Sequence, residues 1–239
     1  MNDRILLEVC IASTEDAVAA LGGGADRLEL NVGIELGGLT PSVGLLEQVK
    51  KAVAIPLVTM VRPRAAGFRY SAIERRIMLR DAELLLAAGA DGIVSGALCQ
   101  DGSLDVDFWK QLRNLSQGRD LVFHRALDVI PDPMTALQQL IDTGTTRVLT
   151  SGGCESAWQG RRQIARLQQK AGNQIEILAG AGVTPDNAVP LVRETGCSQL
   201  HGTFRELASD PASFVADGSY PTTSEPLVAA MRAALDELS

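Results

Sequence analysis

With 239 residues, 46% of them hydrophobic and 21% charged, the chain can bury a full core in one large domain. Its formal net charge of −7 opposes nucleic-acid binding, which needs a basic face. No apolar run approaches the roughly 20 residues of a membrane span. Met1–Cys10 also lacks the order of a secretory signal, so the expectation is a cytoplasmic protein with neither membrane nor nucleic-acid partners.

Short β-branched runs alternate with amphipathic stretches along the chain. A strand is predicted over Leu6–Cys10, followed by a helix capped by Ser13 or Thr14, then a strand over Arg27–Leu30. Ser42 caps the next helix, with Val43, Leu46 and Val49 on its apolar face, ahead of a strand over Pro56–Arg62. Ile77, Leu84 and Leu85 mark the third helix, and Gly92–Gly96 the fourth strand. Strands at Asp120–Arg125, Arg147–Gly152, Glu176–Gly180 and Ser198–Gly202 complete the series, with helix starts at Asp132–Pro133 and Thr184–Pro185. Gly24, Gly89, Gly144 and Gly196 each fall where a helix should end before a strand. An irregular stretch is expected at about Glu206–Glu225, with a final helix at about Pro226–Leu238.

Eight strands in 239 residues give about 30 residues per unit, the size of a βα repeat. The fold class is therefore α/β, a closed (β/α)8 TIM barrel forming a single domain over residues 1–239, with roughly 204–239 as a C-terminal extension. A doubly wound open sheet is the runner-up. It usually carries a Gly-rich turn after its first strand, where this chain has Ile-Ala-Ser-Thr.

A barrel of this kind does its chemistry at the C-terminal ends of its strands. The polar residues expected there include Glu8, Cys10, Glu29, Asn31, Arg62, His124, Arg125, Asp128 and His201, among them both histidines of the chain. Period-two alternation puts Glu8 with Cys10 on one strand face, and Glu29 with Asn31 on another, which points them into the mouth. Buried carboxylates need partners, and Arg62 and the histidines are candidates. A purely structural ion-pair network plugging the barrel would satisfy the same pattern. The glycine segments after strands six and seven supply a candidate anion cradle at Ser151, Gly152, Gly180 and Gly182. The alternative there is a pair of tight turns. The four cysteines (Cys10, Cys99, Cys154 and Cys197) form no close pair in sequence, which favours neither a disulfide framework nor a zinc knuckle. Thiolates suit Cu(I), yet a lone buried cysteine is often a small hydrophobe.

Leu7–Cys10 (LEVC), Gly24–Leu30 (GADRLEL), Gly37–Ser42 (GGLTPS), Arg62–Arg64 (RPR), Phe123–Asp128 (FHRALD) and Arg147–Gly152 (RVLTSG) together resemble the CutC family of copper homeostasis proteins. The resemblance spans residues 6–203. It implies a (β/α)8 barrel, a cytoplasmic location, frequent self-association as a homo-oligomer, and a role in copper handling with Cys10 as a metal ligand. The family's second copper motif carries a cysteine where this chain has Asn31, and no Cys or Ser follows His201.

Two functions are expected to compete. One is Cu(I) binding or buffering. The other is a barrel enzyme of isomerase, aldolase or lyase type acting on a small phosphorylated or carboxylated metabolite. Glu8, Glu29, Arg62, His124, Arg125, Asp128 and His201 would carry that chemistry, with an arginine pairing the anion and His124 or a carboxylate moving a proton. The two carboxylates and two histidines also suit a divalent cation.

Overall fold

Local signals in the sequence become caps. Ser13 accepts a hydrogen bond from the Asp16 N–H, Ser42 from that of Leu45, and Asp132 from those of Met134 and Thr135. They open helices α1 (Thr14–Gly22), α2 (Val43–Ala52) and α5 (Pro133–Asp142); the others are α3 (Ala72–Ala87), α4 (Val106–Ser116), α6 (Ala157–Ala171), α7 (Pro185–Thr195) and α8 (Glu225–Asp236). Gly144 and Gly196 take the left-handed conformation expected of helix ends, with φ of 72° and 70°. The computed structural model describes residues 4–212 and 218–238.

The strands are β1 (Leu6–Ile11), β2 (Arg27–Leu30), β3 (Leu57–Met60), β4 (Gly92–Ser95), β5 (Asp120–Phe123), β6 (Arg147–Thr150), β7 (Glu176–Gly180) and β8 (Gln199–Gly202). Each pairs in parallel with the next, and β8 returns to β1 with Glu8 opposite His201. That closure makes a (β/α)8 barrel and overturns the open-sheet alternative. β3 stops at Met60 and β5 at Phe123, so Arg62 and His124 lie just beyond strands and not within them. The stretch expected to be irregular contains an antiparallel hairpin, β9 (Arg205–Ser209) and β10 (Ser219–Thr223); its residues 213–217 lie outside the described residues.

Alternation sorts the strand side chains. Leu7, Val9, Ile11, Leu28, Leu30, Ile93, Phe123 and Leu200 face the helices in one continuous apolar core. Facing inward, β3, β4 and β5 supply a separate small apolar cluster of Val58, Met60, Val94 and Val122. The other side of the interior is polar, with buried Glu8, Arg27, Glu29, Arg147, Gln199 and His201 from β1, β2, β6 and β8. Half of this barrel is therefore filled by hydrophobic packing and half by paired charge.

Gly160 of α6 crosses the β6 end so closely that an added Cβ would collide with the Ser151 carbonyl and lie 2.9 Å from the Gly152 Cα. Gly160→Ala is expected to cost about 1–3 kcal/mol in urea unfolding. Gly44→Ala, at an exposed α2 position with only Ser42 Oγ nearby at 3.9 Å, is expected to stabilise by about 0.4–1 kcal/mol.

Candidate functional site

The polar half of the barrel is built upward from its N-terminal end. Arg147 bonds Gln199 Oε1 at 3.0 Å and pairs with Asp120 at 3.3 Å and Glu176 at 2.6 Å. Gln199 Oε1 also accepts from Arg27 Nη2 at 2.7 Å. Arg27 then turns its Nε to Glu8 Oε2 at 2.5 Å. The Glu8 side chain is 0% exposed, and its other oxygen meets His201 Nδ1 at 2.8 Å. Burial by itself would push the Glu8 carboxyl up. The Arg27 charge and the His201 hydrogen bond overcome that and hold it well below the usual carboxylate range. Burial likewise disfavours an imidazolium, yet Glu29, Cys10 and Glu8 together raise His201 well above its ordinary 6.5.

Above Glu8 lie Cys10, Glu29 and His201, all buried, with one donor atom of each within 4.8 Å of the others. Asn31 ties two of them together, its Nδ2 donating to Glu29 Oε1 at 2.8 Å and to Cys10 Sγ at 3.3 Å. Burial pushes both the Cys10 thiol and the Glu29 carboxyl up. Glu29 Oε2 and Asn31 Oδ1 have no hydrogen-bond partner among the described residues.

These groups form one wall of a cavity of about 280 Å3 at the barrel mouth; Met60, Phe68, His124 and Leu149 are on its other sides. His124 caps the short 3-10 turn Arg125–Val129, its Nδ1 accepting the Ala126 N–H at 3.2 Å. The proton of the neutral ring therefore sits on Nε2, which has no partner among the described residues. Burial, reinforced by the Arg62 charge, lowers the His124 pKa to about 3. Phe68 stacks between the two, its ring 4.7 Å from that of His124 and 5.1 Å from the Arg62 guanidinium carbon.

Other candidates have different surroundings from those the sequence suggested. Arg62 gives its terminal nitrogens to the carbonyls of Leu36, Gly38 and Ala66, so it fastens the loops after β2 and β3 and does not partner Glu8 or Glu29. The cradle at Ser151 and Gly152 is filled from within. Asp128 accepts from the Ser151 and Gly153 N–H groups at 3.1 Å, Ser151 Oγ at 2.9 Å and Thr150 Oγ1 at 2.5 Å. Arg125 completes that knot, with its Nε 2.9 Å from Asp128 and Nη2 2.8 Å from Ser151 Oγ, while also bordering the cavity. A ligand phosphate has no place there. Gly182 borders the cavity; Gly180 lets β7 lie against His201, whose Cβ would be 3.2 Å from an added methyl. Cys99 is half-buried and Cys154 exposed, and neither joins Cys10 in a metal-holding group among the described residues.

The sequence profile of the CutC family matches residues 5–206. A family protein CutC from Treponema denticola is 47% identical over 88% of this chain and 85% of its own. The chain belongs to the CutC family. A copper homeostasis protein cutC homolog from Homo sapiens is 41% identical over 87% of this chain and 77% of its own. The solved structure of a putative copper homeostasis protein CutC from Streptococcus agalactiae superposes with a TM-score of 0.80 at 35% identity, covering 83% of this chain and 98% of that one.

Within this CutC-family chain, Cys10, Glu29 and His201 fit a metal ion in one respect that can be tested on the structure. Glu8 holds Nδ1 of His201 and leaves Nε2 as the ring's other donor atom, the carboxylate–imidazole arrangement common behind metal-bound histidines. The set offers a single thiol, because Asn31 stands where the resemblance implied a second.

Four residues of the network escaped the sequence reading: Arg27, Arg147, Gln199 and Phe68. Arg27, Arg147 and Gln199 each open a strand, the end a barrel normally devotes to stability, and it is the stagger of β2 against β1 that sets Arg27 opposite Glu8. Removing that cation leaves a buried carboxylate uncompensated. Arg27→Met is expected to lose about 3–5 kcal/mol in urea unfolding, with part recovered by Arg27→Lys. His124 gives a pH test. Its unfolded form takes up a proton below about pH 6.5 while the folded form stays neutral to about 3, so it destabilises the fold as pH falls through that window. The expected slope is about 1.4 kcal/mol per pH unit, and His124→Asn should remove it.

Proposed function

We propose that this protein serves copper homeostasis by holding one Cu(I) ion at the barrel mouth, with Cys10 Sγ and His201 Nε2 as ligands and the Glu29 carboxylate beside them. The observation that carries this reading is the convergence of those three buried groups within 4.8 Å. A thiolate is the soft ligand Cu(I) favours, and imidazole suits copper and zinc alike. With one thiol in place of two, the ion is held less firmly than in a two-thiolate site, which fits buffering and hand-over better than storage. The work belongs in a reducing cytoplasm, where cysteines such as the free Cys10, Cys99, Cys154 and Cys197 persist as thiols. Likeness to the CutC proteins supports self-association as well. A second reading, catalysis on a small molecule at the same mouth, has one observation in its favour: about 280 Å3 is far more room than a single ion needs.

Anaerobic titration against a competing Cu(I) chelator tests the first reading. One equivalent is expected to bind, Cys10→Ser to abolish it, and Cys154→Ser to leave it intact. Unchanged affinity in Cys10→Ser would overturn it. A parallel Zn2+ titration separates Cu(I) from a divalent ion, since tighter Zn2+ binding would transfer the site to zinc.

A further inference from the structure

Three residues that line the mouth cavity each carry a buried polar atom with no hydrogen-bond partner among the described residues: His124 Nε2, Asn31 Oδ1 and Glu29 Oε2. These residues are 4%, 1% and 2% exposed, so each unpaired atom carries a desolvation cost that a bound partner would relieve. Their characters differ. His124 Nε2 is a donor, because Nδ1 accepts the Ala126 N–H and the ring is neutral near pH 7. Asn31 Oδ1 is an acceptor, since the Nδ2 of that amide already donates to Glu29 and Cys10. Glu29 Oε2 accepts when ionised and donates when protonated, and a hydroxyl answers either state.

We infer that the mouth cavity binds a small uncharged hydroxycarbonyl compound, its carbonyl oxygen on the His124 Nε2–H and its hydroxyl groups on Asn31 and Glu29. Met60, Phe68 and Leu149 give the cavity apolar surfaces suited to the C–H faces of such a molecule. An anionic substituent is disfavoured because the neighbouring cations are committed. Arg27 is held by Glu8 and Gln199, the two terminal nitrogens of Arg62 by three carbonyls with its Nε buried away from the cavity lining, and Arg125 by Asp128 and Ser151. The cradle that would receive a phosphate contains the Asp128 carboxylate. The inference thus replaces the phosphorylated or carboxylated substrate expected from sequence with an uncharged one. It rests on the cavity and shares Glu29 with the proposed copper site, so the metal is withheld in its test.

Saturation-transfer NMR on the full-length, metal-free protein, with a Cu(I) chelator present, is the test; the probes are dihydroxyacetone, D-xylulose and dihydroxyacetone phosphate. Both uncharged ketoses are expected to receive saturation, and the phosphate ester at least about tenfold less. His124→Asn keeps an acceptor for the Ala126 N–H but withdraws the donor, so it should weaken ketose binding by about tenfold or more. His124→Gln, which reaches further with an amide N–H, should recover part of it. The inference is overturned by the absence of transfer to either ketose, by equal transfer to the phosphate ester, or by full ketose binding in folded His124→Asn. If His124→Asn does not fold, the comparison of ketose with phosphate ester on the native chain decides alone. Because copper is chelated throughout, failure here leaves the copper titration standing, and the reverse also holds.

Discussion

A single buried ion pair, Arg27 to Glu8 at 2.5 Å, organises the upper half of this barrel. A carboxylate taken wholly out of water would normally hold a proton, and a protonated Glu8 would give His201 no charged anchor. The guanidinium prevents that and leaves the second Glu8 oxygen free to fix the imidazole. His201 then meets Cys10 and Glu29, which Asn31 bridges from the side. Arg27 is itself steadied by Gln199, and Gln199 by Arg147 with its two acids on the rim. Charge is thus handed from the solvent-facing rim up to the mouth, where Glu29 Oε2 and Asn31 Oδ1 end the network without partners among the described residues. This differs from a barrel filled throughout by branched aliphatic layers; here the β3–β5 side is filled that way.

Much of this was legible in the residues themselves. The repeat of about 30 residues, the serine and aspartate caps, and the glycines before strands specify eight βα units without any tertiary information. Period-two alternation was enough to send Glu8, Cys10 and Glu29 inward, because a strand leaves a side chain only two directions. Illegible features depended on how strands are staggered around the ring. Arg27 begins β2 and Glu8 sits midway along β1, yet the barrel register sets them opposite each other. Arg62 looked like a partner for carboxylates, but it lies beyond the end of β3 and is taken by carbonyls of nearby loops. Nothing local in the sequence discriminates a guanidinium that holds a loop from one that awaits a ligand.

The site also shows how one chemical type is put to two uses by its surroundings. His201 and His124 border the same cavity. The first is flanked by carboxylates, which raise its pKa against the effect of burial; the second is lowered by burial and by the Arg62 charge. Two imidazoles on one cavity thus differ in the charge that their surroundings favour. Asn31, where the resemblance to the family implies a thiol, acts in the same sense. Its amide both donates and accepts, which gives this wall hydrogen-bonding chemistry.

The Asp128 carboxylate that occupies the loop after β6 has a further meaning. A filler tethered to the same polypeptide is present at a fixed effective concentration, whatever the cell's supply of inorganic anions. The rigidity of that rim is therefore decoupled from metabolic state, and the opening beside it keeps the same shape in phosphate-rich and phosphate-poor conditions alike.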